Sequence, residues 1–171
     1  SYGNIDVITW NENRVVFEIK ITTNGNDEED VLQKLNEIDV KFQTSSSLVS
    51  AETVFNDNKS NSWWKWYKSN DVNMTINYII KIPITNNVDI NNDYGGINLD
   101  KLEGRANINC DYGKITTKEL MADNNIINFD YTQNSYFEYI KSGEINADYS
   151  GFTIAKTKSI DIVADYTSST I

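Results

Sequence analysis

The chain has 171 residues and a formal net charge of −10. That acid excess argues against nucleic acid, whose affinity comes from neutralised phosphates, and against general adhesion to anionic lipid. Histidine is absent and Cys110 is the lone cysteine. This removes the usual neutral-pH general base, a Ser-His-Asp arrangement, histidine and thiolate metal sites, and an internal disulfide.

From the N-terminus, Ile5, Val7 and Thr9 share one face of a strand. A second strand, Val15 to Ile21, follows Asn11-Glu12-Asn13, so the pair reads as a hairpin. A helix near 27–38 comes next. Asn26 is placed to cap it, and Asp27, Glu28, Glu29 and Asp30 put negative charge on its positive first turn. Val31, Leu32, Leu35 and Ile38 form one apolar stripe, which marks a packing helix. Strands follow near Val40 to Thr44 and Leu48 to Phe55. Residues 56–71 are polar, apart from the cluster Trp63-Trp64-Lys65-Trp66-Tyr67-Lys68. A long strand, Val72 to Ile82, stops at Pro83, the one proline, which cannot donate to a ladder.

Beyond Val88 the sequence repeats. Asp-Tyr recurs at Asp93-Tyr94, Asp111-Tyr112, Asp130-Tyr131, Asp148-Tyr149 and Asp165-Tyr166, each Asp preceded three residues earlier by Ile90, Ile108, Ile127, Ile145 or Ile162. Repeats at this interval imply stacked coils. Alternation along each strand points the isoleucines inward, together with Asn92, Cys110, Phe129, Ala147 and Ala164, and carries Tyr112 inward as well. Short second strands are expected at Ile97 to Leu99, Ile115 to Thr117 and Phe152 to Ile154. The third unit carries Thr132 and Asn134 where glycine and isoleucine belong, so that coil should bulge. Apolar steps of seven, five and six lack the strict six of a left-handed hexapeptide helix. The expected fold is therefore all-β: a right-handed parallel β-solenoid with coils of about 18 residues. It forms one domain, with an N-terminal β region over 1–83 and the repeats over 84–171.

Two sets of residues stand out as candidate binding groups. In-register stacking puts Asp93, Asp111, Asp130, Asp148 and Asp165 about 5 Å apart, where two carboxylates repel by about 1 kcal/mol in water and several times that near a protein surface. Hydrogen bonds from the turn amides just after each Asp are the expected offset. Calcium between paired carboxylates is an alternative, as is glycosidase-like catalysis. Catalysis needs two carboxyls in different environments, and an even column supplies one environment repeatedly. The second set is Trp63, Trp64, Trp66 and Tyr67, which either cover the β core or stack on sugars. The five repeat tyrosines are expected as an aromatic ladder in the core or at its corner, with an exposed sugar-gripping row as the alternative. Cys110 reads as a small buried residue rather than a nucleophile. Gly95-Gly96 lacks the spacing and lysine of a phosphate loop. No catalytic residue, metal site or cofactor is expected.

Tyr94-Gly95-Gly96-Ile97, Tyr112-Gly113-Lys114-Ile115, the later Asp-Tyr-Ser/Thr units, the strand into Ile82-Pro83 and the opening Tyr2-Gly3-Asn4-Ile5-Asp6-Val7 resemble a bacterial family across nearly the whole chain. That family is the auto-transporter adhesin head GIN domain family. The resemblance implies a right-handed parallel β-solenoid, export to the periplasm, outer membrane or cell surface of a Gram-negative bacterium, and no known enzymatic activity. It supplies no established binding residues. A start without Met fits a processed exported domain. No stretch suits a transmembrane helix; the longest apolar run, Ile76 to Ile84, is broken by Asn77 and Lys81. The function expected is a non-enzymatic binding scaffold for polysaccharide or a cell-surface protein, with a carbohydrate-active enzyme or a structural spacer as alternatives. Because Ser169-Thr170-Ile171 begins the second strand of a coil, pairing or packing at that edge with another copy is also expected, with a longer parent chain that continues the stack as the alternative.

Overall fold

The computed structural model describes residues 2–56 and 72–171. In chain order the elements are β1 (Ile5–Trp10), β2 (Val16–Asn24), α1 (Glu28–Glu37), β3 (Ile38–Thr44), β4 (Val49–Phe55), β5 (Asn73–Pro83), β6 (Val88–Asp93), β7 (Gly96–Leu99), β8 (Ala106–Asp111), β9 (Lys114–Leu120), β10 (Asn125–Asp130), β11 (Ser135–Asp148), β12 (Gly151–Ile154), β13 (Thr157–Asp165) and β14 (Ser168–Thr170). They form two compact units, Ser1–Ile19 with Asn77–Ile171, and Lys20–Ile76.

The larger unit is a β-solenoid of parallel stacked coils. One face stacks β6, β8, β10, the second half of β11, and β13. The other stacks β5, β1, β7, β9, the first half of β11, β12 and β14. β11 serves both faces because it runs unbroken around one corner. Equivalent residues lie opposite one another. Ile108 faces both Ile90 and Ile127, and Ile145 faces both Ile127 and Ile162. This column is buried from Ile90 to Ile145, while Ile162, in the last coil, is half-buried. Asn92, Cys110, Phe129 and Ala147 are buried beside it, as expected, but Ala164 is exposed because no described strand covers β13 on that side.

Side-chain volumes compensate within each coil. Ile115 and Phe152 hold the position filled by Ser135 in the third coil. There the large residue is Phe129 and the small one Ser135, while one coil on the small residue is Ala147 and the large one Phe152. The rings of Phe129, Phe137 and Phe152 meet at centroid distances of 5.5–6.4 Å. The third coil does bulge. Its turn has one more residue than the others, Asn134 takes φ 60°, and buried Thr132 and Ser135 occupy the irregularity. Their polar atoms are used: the Ser150 hydroxyl accepts the Thr132 N–H at 3.1 Å, and the Ser135 hydroxyl accepts the Ile115 N–H at 3.1 Å.

One buried hydroxyl is wasted. Among the described residues Thr117 Oγ1 has no hydrogen-bond partner, and Thr117 faces Leu99 and Phe137 inside the core. Thr117→Val keeps the shape and removes an unpaired polar group, so it should stabilise the protein by about 1 kcal/mol. Chemical denaturation with an unshifted or lowered midpoint in the valine variant would show that the hydroxyl is satisfied in solution.

Several expectations are corrected. β1 and β2 do not form a hairpin: β5 lies between them, because β1 is already flanked on both sides by parallel strands. Tyr2-Gly3-Asn4-Ile5 instead joins the solenoid as a half coil, with Ile5 opposite Ile97 and Tyr2 stacked on Tyr94. In the smaller unit the helix cap is Asp27, whose carboxylate accepts the Glu29 and Asp30 N–H groups, so Asn26 sits one position too early. α1 has no buried residue, and Leu32 and Leu35 are exposed. The stripe therefore does not make it a packed core helix. Ile38, the last residue of that stripe, belongs to β3, which pairs antiparallel with β4.

Candidate functional site

The outer surface of the first solenoid face is built from ladders. Asn91, Asn109, Asn128 and Asn146 point outward at matching positions. The amide nitrogens of Asn109, Asn128 and Asn146 each donate to the amide oxygen of the coil before, at 2.7, 2.7 and 2.9 Å. An amide can do this because it carries donor and acceptor together. The aspartates run alongside in full register. Their offset differs from the expected turn hydrogen bond. The Asp111 carboxylate accepts the N–H of Asp130, Asp130 that of Asp148, and Asp148 that of Asp165, at 3.0–3.2 Å. These three carboxylates thus cap the next coil rather than their own turn, because the residue after each Asp turns away. Among the described residues no group of three acidic or cysteine side chains could hold a metal ion. Of the strands of this face, β13 carries one basic residue, Lys158 near its start, and the aspartate and asparagine columns themselves have no lysine or arginine among them.

The residue that turns away is tyrosine. Tyr94, Tyr112, Tyr131, Tyr149 and Tyr166 all adopt left-handed backbone, φ 50–58°. That breaks the strand alternation, so Tyr112 does not point inward as the period of two requires. All five rings are exposed and stand at the corner of the coil. With Tyr2 they form a continuous stack, with centroids 4.9–5.6 Å apart and ring planes within 8° of parallel. Left-handed backbone costs a side-chain-bearing residue roughly 1–2 kcal/mol, and an aromatic pair contributes about 0.5–1.5 kcal/mol beyond its buried area. Stacking offsets the strain, and this explains a tyrosine where glycine would be expected. It also means that the ring faces are occupied by one another, leaving edges and hydroxyls for a ligand.

A reversal of the usual residue ranking follows at Tyr149, which stacks on Tyr131 and Tyr166. Tyr149→Ala loses both contacts and keeps the strain, whereas Tyr149→Gly loses the contacts and relieves it. Glycine should therefore be the more stable of the two by about 1 kcal/mol, opposite to its rank within a strand. Urea melts in which the alanine variant is the more stable would contradict the strained corner.

The stack also sets an alkaline limit. Desolvation pushes the Tyr112 phenol above its ordinary 10, with the neighbouring Tyr131 and Tyr94 and then Asp111 and Asp130 adding in the same direction. The folded state therefore holds this proton longer than the unfolded chain does. Stability is fully present below pH 10 and declines as the pH rises through it. Phenolate absorbance should show Tyr112, compared with a Tyr112→Phe variant, ionising above free tyrosine while melting temperature falls over the same range. Cys110 is buried, and desolvation pushes its thiol up to about 11, which fits a core residue and not a nucleophile.

Of the candidate residues, the structure brings the five aspartates into one outward column. Trp63, Trp64, Trp66 and Tyr67 lie outside the described residues. Sequence reasoning missed the asparagine ladder, although Asn at two residues before four of the repeat aspartates was the signal for it. It also missed a groove on the second face, where Gly96 and Asn98 of β7 lie between the Asn4 to Ile8 segment and Lys114, Thr116 and Lys118 of β9.

No protein family, curated protein or solved structure matches this chain. The fold and its surface therefore carry the functional argument by themselves. Among the described residues, no helix is long and apolar enough to cross a membrane.

Proposed function

We propose that the chain is a non-enzymatic binding scaffold of the bacterial cell envelope, with polysaccharide or a surface protein as its ligand. The observation that carries this reading is the evenness of the ladders. Asp111, Asp130 and Asp148 make the same contact to the next coil, so no carboxylate pair is set apart as acid and base. A rigid surface with repeating amides, carboxylates and phenols suits a repeating or extended ligand, which gains affinity by touching many weak positions at once. The resemblance to adhesin head domains is in keeping with export and with surface binding.

Screening the intact chain on an array of bacterial and host glycans, alongside immobilised envelope proteins, tests the reading. Saturable binding with no release of reducing sugar is the expected result. Hydrolysis of any bound glycan, lost in a single Asp111→Asn or Asp130→Asn variant, would instead establish an enzyme. A complete absence of ligands would leave a structural spacer.

A further inference from the structure

The groove on the second face is set apart from the ladders. Its floor is low because Gly96 has no side chain and Asn98, the next outward residue, is short. Asp6 stands on one side and Thr116 on the other, both opposite Asn98 in register. Two depressions of about 440 and 310 Å³ share Asn98 and Thr116 and so run into one another. From Gly96 to Asp100 the groove follows the strand direction for about 13 Å.

Its lining narrows what can lie there. β7 is hydrogen-bonded on both sides, to β1 and β9, so the floor has no open ladder for an added peptide strand, the usual way an extended peptide is held. The ligand must be read by side chains alone. At the centre the Asn98 amide nitrogen donates to the Asp6 carboxylate at 2.6 Å, which fixes the amide and leaves its oxygen and second N–H toward the groove beside the Thr116 hydroxyl, and Tyr94 and Tyr112 present ring edges and phenols at one end. The ionised groups cancel: Lys114 and Lys118 against Asp6 and Asp100, two positive and two negative, with Lys118 and Asp100 paired at 2.6 Å. In a chain of net charge −10 this is a neutral strip, unlike the acidic ladder face. Neither a polyanion nor a polycation is selected. Convergent amide, hydroxyl and aromatic-edge groups in a straight channel of zero net charge, with Ile8 and Ile79 as an apolar wall at the far end, match the hydroxyls and ring faces of a sugar chain.

We infer that this groove binds a neutral, linear oligosaccharide with extended β-linkages, about three sugars filling the roughly 13 Å between Gly96 and Asp100. The inference rests on the binding-scaffold reading and specifies both site and ligand for it. Titrating the intact protein with neutral β-1,4-linked gluco-disaccharide, tetrasaccharide and hexasaccharide, by calorimetry and NMR shift mapping, tests it. Affinity should rise about tenfold from disaccharide to tetrasaccharide and then level off, as the groove fills. Thr116→Arg, which blocks the channel, and Asn98→Ala should each weaken tetrasaccharide binding by about tenfold or more. Glu52→Ala, exposed on β4 in the smaller unit, should not, and melting curves identify which variants remain folded. Affinity independent of chain length, or native binding by folded Thr116→Arg, would overturn the assignment. Failure of these sugars alongside binding of another ligand removes the groove and leaves the scaffold; failure of every ligand removes both.

Discussion

Replacing Phe129 with alanine should cost about 3–5 kcal/mol of stability, the range for truncating a fully buried aromatic. For a chain of this size that lowers the melting temperature by roughly 10 °C. Phe129 is 1% exposed and spans the interior of its coil to reach Phe137 and Phe152. The adjacent coils hold Cys110 and Ala147 at the same position, so no neighbour is large enough to close the hole. Calorimetric or urea unfolding would measure the loss. A cost below about 1 kcal/mol would mean that the coils collapse around the vacancy, and the compensation of Phe129 by Ser135 would no longer describe the core.

Gly113→Ala should be nearly as damaging for a different reason. A methyl group on Gly113 would lie 2.0 Å from the backbone oxygen of Gly95 in the coil before it, with Cys110 Sγ 3.0 Å away on the other side. Backbone must move, and it belongs to two coils whose spacing is fixed by β-ladder hydrogen bonds on either side of the turn. Overpacking of this kind costs about 1–3 kcal/mol and sometimes more. The change should also disturb the stack of Tyr94 on Tyr112, so near-ultraviolet circular dichroism should weaken with stability. Wild-type stability and an unchanged tyrosine signal would show that the coils separate freely. The later coils carry Thr132 and Ser150 at equivalent turns, where a side-chain oxygen or its neighbour is hydrogen-bonded, so Gly113→Ser is the instructive companion variant.

Whatever repeats was legible in the sequence. The isoleucine three residues before each aspartate located the strands, their parallel register and the buried column, because each coil buries its apolar face only against a like coil. The bulged third turn was visible too, because Thr132 and Asn134 depart from the pattern of the other units. Single elements were read less well. The Val15 to Ile21 segment suggested a hairpin because a short polar loop precedes it. A distant strand, β5, took the place beside β1, and sequence proximity carries no information about that competition. The helix stripe was read correctly as a pattern, yet a pattern does not say whether anything lies against it.

The functional surface divides along the same line. The sequence alone determined that aspartates and tyrosines would form columns, since any residue at a fixed place in a stacked repeat must do so. Only the tertiary structure decided where those columns face and what occupies them. The left-handed turn at each tyrosine carries the ring out of the strand alternation to the corner, and stacking between coils is what makes that strained backbone tolerable. The aspartate contact and the asparagine ladder likewise exist only between coils, through bonds joining residues 17 to 19 positions apart. The groove over β7 is more remote still from the sequence. Its walls come from residues near 6 and near 116, joined by no motif, and its depth depends on Gly96 and Asn98 being short where their neighbours in space are long.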